Sequence, residues 1–334
     1  YKIDGMRFDL MELMDFESMK KIVATAHAID PSILVYGEPW KGGDSVLTNG
    51  TYRGRQKNHN FSVFNDLFRD AIRGSNSPSN GFINGNPHNP LNLWHVIDGL
   101  KGSINGLTAV ASESINYIDA HDNYTLWDHI EKSQNQDLKI GEYRQNLPLD
   151  PFESTLVRQY LLGLGIILTA QGIPFFQGGA EILRTKNGDH NSYKSDDTTN
   201  AFHWEDKLKF LPVFDYVKGL IELRKHHPAF RMTQASMINE HLNIYPAYHT
   251  DSSGVIIAHY TNHANGDSWE EIVVIYNASN LNDYDVNEIL PKPKKKGHWK
   301  VVVNHEKAGI EPILGLVEGK IPLLKSHSIL VVHD

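Results

Sequence analysis

Along the first two-thirds of the chain, short apolar runs alternate with stretches of three- and four-residue periodicity. The start, Tyr1 to Leu10, reads as a strand already in progress, and Met6 to Met11 is a short apolar run. From Asp15 to Ile29 the residues Phe16, Met19, Ile22, Val23 and Ala26 recur at helical spacing. Asp15 or Ser18 can cap that helix, and Pro31 stops it. Ile33 to Tyr36 predicts a second strand, ending at Gly37-Glu38-Pro39-Trp40. The stretch that follows is rich in Gly, Asn and charge and predicts a long loop. Phe61 to Ile72 carries helical periodicity, Ile115 to Ile118 reads as a strand and Leu156 to Ala170 as a strongly apolar helix. Ile173 to Phe176 predicts another strand, and Phe214 to Arg224 another helix.

Strands that alternate with helices imply a parallel sheet with crossover helices. In such folds polar chemistry collects at the carboxyl ends of the strands. Asp9, Glu38 and His121-Asp122 each close a short apolar run, which puts them at such ends. From Ala235 the pattern changes. Val255 to His259, Ile272 to Tyr276, Trp299 to Val303 and Ser328 to Val332 are β-branched runs between turn-rich segments. They predict a separate antiparallel β-sandwich of roughly 100 residues, with the boundary between 1–232 and 233–334. The basic run Lys292-Pro293-Lys294-Lys295-Lys296 falls between two of these strands and reads as a solvated hairpin loop.

Composition narrows the class. The 334 residues carry a net charge of -8 and no cysteine. Mild acidity argues against a nucleic-acid partner, which requires a clustered basic face. The lack of cysteine removes disulfides, thiolate metal sites and a cysteine nucleophile, and leaves the compartment open between bacterial cytoplasm and secretion. The longest apolar stretch, Leu161 to Ala170, is far shorter than a membrane span. The 18 histidines are scattered without a His-x-x-x-His pair beside a carboxylate, so no catalytic zinc is expected. Asp189, Asn191 and Asp196 offer oxygen ligands of the kind calcium prefers, without the spacing of an EF-hand, and a substrate-lining loop is the favoured reading.

Three segments carry candidate chemistry. In Gly5-Met6-Arg7-Phe8-Asp9-Leu10, Arg7 and Asp9 are two positions apart on one strand, so both side chains leave the same face. A guanidinium beside a carboxylate favours its ionised form, as a glycosidase nucleophile requires; from this motif alone a plain structural ion pair is the favoured reading. Glu38 comes one strand–helix–strand repeat later, and Pro39 and Trp40 give it partly apolar surroundings of the kind that raise a carboxyl pKa. Asn116 to Asn123 ends in His121-Asp122-Asn123, which either grips sugar hydroxyls or caps the helix beginning near Thr125. Trp40, Tyr52, Trp94 and Trp127 are candidate sugar platforms, with helix packing the favoured reading for Trp94 and Trp127. The turn after Ile173 lacks the lysine and spacing of a phosphate loop.

Taken in order, these segments resemble the later conserved regions of the α-amylase superfamily (glycoside hydrolase family 13), and within it the type I pullulanases. The text that carries the resemblance is Asp4-Gly5-Met6-Arg7-Phe8-Asp9-Leu10-Met11, Tyr36-Gly37-Glu38-Pro39-Trp40 and Ala120-His121-Asp122-Asn123-Tyr124-Thr125-Leu126-Trp127-Asp128. It continues with Gln177-Gly178-Gly179-Ala180-Glu181, Arg184-Thr185-Lys186, Asn191-Ser192-Tyr193 and Asp197-Thr198-Thr199-Asn200. The resemblance implies a (β/α)8 TIM barrel, of which strands four to eight are present, followed by the C-terminal β domain. It implies Asp9 as nucleophile, Glu38 as acid/base and Asp122 as transition-state stabiliser. Arg7 and His121 would bind the cleaved glucose, Trp40 would stack on a neighbouring sugar, and Asn191, Asp197 and Asn200 would line donor-side subsites. The implied partner is an α-glucan. No cofactor is implied for the chemistry, and a structural calcium ion is compatible with it. Glu12 and Met14 depart from the residues most common in the family, Gly and His, which bears on branch-length preference.

Five strands of an eight-stranded barrel leave two open edges, so a further segment, of the same or a second chain, is expected to supply strands one to three. The expected activity is hydrolysis of α-1,6 branch links. The alternatives are a related α-1,4-glucan hydrolase, an isoamylase-like debrancher, or a glucan-binding fragment without turnover.

Overall fold

The computed structural model describes residues 2–247, 254–287, 289–293, 299–313 and 321–334. Lys294, Lys295 and Lys296 of the basic run lie outside the described residues. The parallel part begins β1 (Gly5–Phe8), α1 (Phe16–Ile29), β2 (Leu34–Gly37), β3 (Ser62–Phe64), α2 (Asp66–Arg73), α3 (Pro90–Leu100) and β4 (Ser114–Tyr117). It continues through α4 (Leu126–Gln134), α5 (Thr155–Thr169), β5 (Ile173–Phe175), α6 (Asp197–Asn200), α7 (Asp206–Lys209) and α8 (Leu211–His226). Its five strands pair in chain order, β1-β2-β3-β4-β5, and every pairing is parallel. This is a parallel half-barrel: each crossover returns the chain to the next position along one curved edge.

Local chemistry explains the boundaries. Asp15 caps α1 by accepting the Ser18 amide at 3.0 Å, and α1 buries Met19, Val23 and Ala26. The segment Phe61 to Ile72, expected to be one helix, is instead β3 followed by α2. Asn65 alone separates them, and its side chain accepts the Phe68 amide to start the helix. Helix α3 begins with Asn89 as cap and Pro90 in its first turn. Trp94 on that helix is 52% exposed, so the packing expected for it is not found, whereas Trp127 is fully buried. Pro174 lies in β5, which pairs with β4 alone among the described strands, a position where the missing N–H is tolerated.

After the short helix α9 (Ala235–His241) comes an antiparallel sheet of β6 (Leu242–Pro246), β7 (Val255–Tyr260), β8 (Ile272–Asn277), β9 (Lys300–Val303) and β10 (Ser328–His333), in the order β6-β7-β8-β10-β9. The described residues form one sheet here rather than the two of a sandwich. The reason is in what covers its faces. Ile256, Ala258, Val274, Tyr276, Ile329 and Val331 join the main core with α5. Val255, Ile257, Val273, Ile275, Leu330 and Val332 point the other way and are covered by Val286, Trp299, Ile321 and Leu324. Both faces are dry, so the strands read as continuous apolar runs.

Helix α5 is the shared wall of the two parts. It is apolar all round and buried continuously from Gln159 to Thr169. A Cβ on Gly163 would meet Ile83 and Ile118 on the parallel side, and one on Gly165 would meet Ile329 of β10. Two positions apart, these glycines face opposite ways and let both neighbours come close. At its end, the Thr169 hydroxyl bonds the Tyr276 hydroxyl at 2.7 Å, and the Tyr260 hydroxyl donates to the Thr169 carbonyl at 2.9 Å. Among the described residues, no helix is long and apolar enough to cross a membrane.

Candidate active site

The carboxyl ends of the parallel strands open into a cavity of about 800 Å³, within the range usual for ligand sites. Arg7 reaches it from β1, Asp9 and Leu10 from the turn after β1, and Glu38 and Trp40 from the turn after β2. The adjacent ends of these strands are stitched together: the Glu38 amide donates to the Phe8 carbonyl at 3.0 Å, and the Met11 amide to the Glu38 carbonyl at 2.8 Å. Gly37 permits the approach, since a Cβ there would stand 2.7 Å from the Phe8 carbonyl oxygen. Leu10 takes a left-handed conformation (φ 41°), uncommon for a residue with a side chain, and this turns its amide toward Glu38, which accepts it at 2.9 Å.

One guanidinium holds both acids. Arg7 Nη1 donates to Asp9 Oδ1 at 2.6 Å, and Nη2 to Glu38 Oε1 at 2.5 Å. The two carboxyls differ in setting: the Asp9 side chain is 66% exposed, that of Glu38 8%. Burial pushes the Glu38 carboxyl above the ordinary carboxylate range. The Leu10 amide and Arg7 oppose that shift, while the charges of Asp9 and Asp122 add to it. The site therefore pairs an open acid gripped by a cation with a buried acid that resists ionisation.

The third acid arrives on the loop between β4 and α4. His121 and Asp122 line the same cavity, both exposed, with His121 Nε2 3.6 Å from Asp122 Oδ2. Asn123 turns in the left-handed region (φ 64°). Asp119 anchors the loop. Its buried carboxylate accepts the Leu126 amide at 3.1 Å and the Gln177 amide at 2.9 Å, which joins the turns after β4 and β5.

Of the residues singled out in the sequence, Arg7, Asp9, Glu38, Trp40, His121 and Asp122 converge on this cavity. Asn191, Asp197 and Asn200 are not among its lining residues. The Asn200 amide group donates to the carbonyls of Ser192 and Ser195, and Asp197 opens α6 at the surface. The Asp189 carboxylate accepts the Asn191 amide and the Ser195 hydroxyl. Among the described residues, no group of three or more His, Cys, Asp or Glu side chains is gathered to hold a metal ion. Tyr52 is exposed and lies under the Arg55 guanidinium.

The walls hold residues that the sequence pattern did not expose. Phe64, at the end of β3, is an aromatic hub: Tyr117 lies 4.9 Å from it, Phe175 5.2 Å, Tyr36 5.7 Å and Trp40 6.4 Å between ring centroids. Arg69 and Arg73 come from α2, Arg69 bonding the Tyr117 hydroxyl and Arg73 the Ile118 carbonyl and His129 Nδ1. A usable signal existed: Tyr36, Phe64, Tyr117 and Phe175 each fall at or next to the last residue of a strand.

Comparison with known proteins agrees with this architecture. The family described as "Pullulanase, all-beta domain" matches residues 238–307. The pullulanase of Bacillus subtilis (strain 168) is 33% identical over 285 residues, 84% of this chain and 37% of that protein. A solved pullulanase from Bacillus acidopullulyticus superposes with a TM-score of 0.85 at 36% identity, over 100% of this chain and 38% of that one. A pullulanase from Paenibacillus barengoltzii, solved in complex with maltohexaose and alpha-cyclodextrin, gives a TM-score of 0.80 at 32% identity, over 100% and 48%. The chain thus spans less than half the length of these relatives. On sequence and fold together, it belongs with the pullulanases of the α-amylase superfamily, as a C-terminal part of that family.

Proposed function

We propose that this chain carries the catalytic centre of a retaining glycoside hydrolase that cleaves α-1,6 branch links in α-glucans. The supporting observation is the single Arg7 guanidinium that holds one exposed and one buried carboxyl at the ends of adjacent parallel strands. In this reading Glu38 gives its proton to the glycosidic oxygen as the bond to the anomeric carbon breaks. Asp9 attacks that carbon from the opposite side and forms a glycosyl ester. Water, deprotonated by Glu38, then displaces Asp9 and restores the original configuration. Asp122 and His121 hold hydroxyls of the distorted ring, and Trp40 offers an apolar face to the next sugar. Donor-side roles for Asn191, Asp197 and Asn200 rest on the family resemblance.

The same reading takes β1 to β5 as strands four to eight of a (β/α)8 barrel, with 1–232 as its catalytic part and 233–334 as the β domain. Strands from a further segment would pair with the free edges of β1 and β5. No cofactor enters the reaction, and a calcium ion would be structural.

The test is hydrolysis of pullulan and of amylose by the protein as it occurs in the cell, with the anomer of fresh product read by NMR. Cleavage of pullulan with the α-anomer appearing first is expected, and Asp9→Asn lowers kcat by about 10⁴-fold or more. Cleavage of amylose alone would point to an α-1,4 hydrolase. Glucan binding without turnover would leave only the binding function.

A further inference from the structure

The loop bearing His121 and Asp122 is tied at its root by Asp119, and the two functional residues stand two and three positions further on. There the loop is held from outside by Lys186, whose Nζ donates to the His121 carbonyl at 2.6 Å. Lys186 is 4% exposed. Lysines are rarely that buried unless paired. Burial lowers its pKa and Arg184 adds to that, while Asp122, Asp128 and Asp189 favour the charged form. Its stem is fixed as well. The Lys186 amide donates to Asp128 Oδ2 at 2.9 Å, and the Thr185 hydroxyl donates to the same buried carboxylate. Asn187 Oδ1 accepts the amides of Tyr143 at 3.0 Å and Arg144 at 3.1 Å. Asp128 belongs to α4, so the ammonium stands on a support that is itself part of the half-barrel. Lys186 does not line the cavity. Its reach ends on the peptide group directly before Asp122.

We propose that Lys186 is a positioning residue: by holding the His121 carbonyl it sets the Asp122 carboxyl at the mouth of the cavity. The inference rests on the hydrolase reading above. A free loop would let Asp122 sample many positions. A fixed one presents it only where charge develops on the sugar, and a displacement of about 1 Å is enough to lose roughly 10²-fold in rate.

The experiment is a double-mutant cycle on pullulan with wild type, Lys186→Met, Asp122→Asn and the double variant, each checked for folding by circular dichroism and melting temperature. Lys186→Met is expected to lower kcat by about 10²-fold with KM nearly unchanged, the mark of an interaction used in the transition state. In the Asp122→Asn background the same change is expected to cost almost nothing, because a residue that acts through Asp122 has nothing left to position. Losses that multiply overturn the proposal, as does a Lys186→Met protein as active as wild type. If wild type cleaves neither pullulan nor amylose, the hydrolase reading fails and takes this inference with it; if it cleaves amylose alone, the cycle is run on amylose with the same expected outcomes. An active wild type impaired by Asp122→Asn but not by Lys186→Met sinks the inference alone. Should Lys186→Met not fold, Lys186→Gln replaces it in the cycle. Failure of both to fold makes Lys186 a stability residue and overturns the proposal.

Discussion

In the antiparallel sheet, β8 and β10 are buried at all six of their positions, whereas in the parallel half-barrel β1 and β5 are only half-buried at every position. Strands β7, β8 and β10 run for six residues each and place apolar side chains on two buried faces. The parallel strands stop after three or four residues, and the chain leaves each of them beside the cavity with a polar or aromatic residue in hand. One sheet uses its residues for cohesion; the other leaves its ends for chemistry. Substitutions in the two should therefore separate: stability without turnover in the antiparallel sheet, turnover without stability in the half-barrel.

After Asp9, the largest effect is expected at Glu38. Glu38→Gln keeps the shape but removes the transferable proton, and kcat on pullulan should fall about 10²- to 10⁴-fold, with little change in melting temperature. A comparable loss of stability would break the contrast. In the other sheet, Ile275→Ala opens a cavity under Val286 and Trp299 and should cost about 2–5 kcal/mol in urea unfolding. Its kcat per folded molecule should stay at the wild-type value. A smaller effect is expected at Asp15. Removing its cap with Asp15→Ala should cost about 1 kcal/mol, read from the urea midpoint. The most delicate test is a slope. Burial pushes buried Glu131 on α4 from the ordinary 4.5 to about 7, and Asp128 adds to the shift. The folded state holds that proton more tightly than the unfolded chain. The stabilising contribution is thus full below pH 4.5 and lost as pH rises through about 7. Glu131→Gln should flatten this loss, as urea midpoints across that window will show.

Much of this division was legible in the sequence, and its failures have local causes. The run from Leu156 to Ala170 read correctly as a helix because it is long and apolar, and Arg7 and Asp9 met on one face because strand geometry requires it. Strand β3 was missed because three residues carry no detectable period and Asn65 leads straight into α2. Strand β6 was missed for a similar reason, since α9 passes into it without a break. Helix α3 carried its signal in Asn89-Pro90, an N-cap followed by a first-turn proline. Lys186 stood in the text that carries the resemblance, but its contact could not be read: its partner is a main-chain carbonyl 65 positions away, and no side-chain pattern records that.

Helix α5, with Gly163 turned toward one part and Gly165 toward the other, also sets a rule for building chimeras. A β domain taken from a relative and joined after residue 232 would meet a helix surface shaped for a different partner, with Ile329, Tyr260 and Tyr276 replaced by whatever that relative carries. Swaps that carry α5 along with the sheet keep one seam matched and move the mismatch to the parallel side, where Ile83 and Ile118 lie. The helix is thus inherited with one neighbour or the other, and recombination between relatives should be tolerated best where both neighbours of these two glycines are retained together.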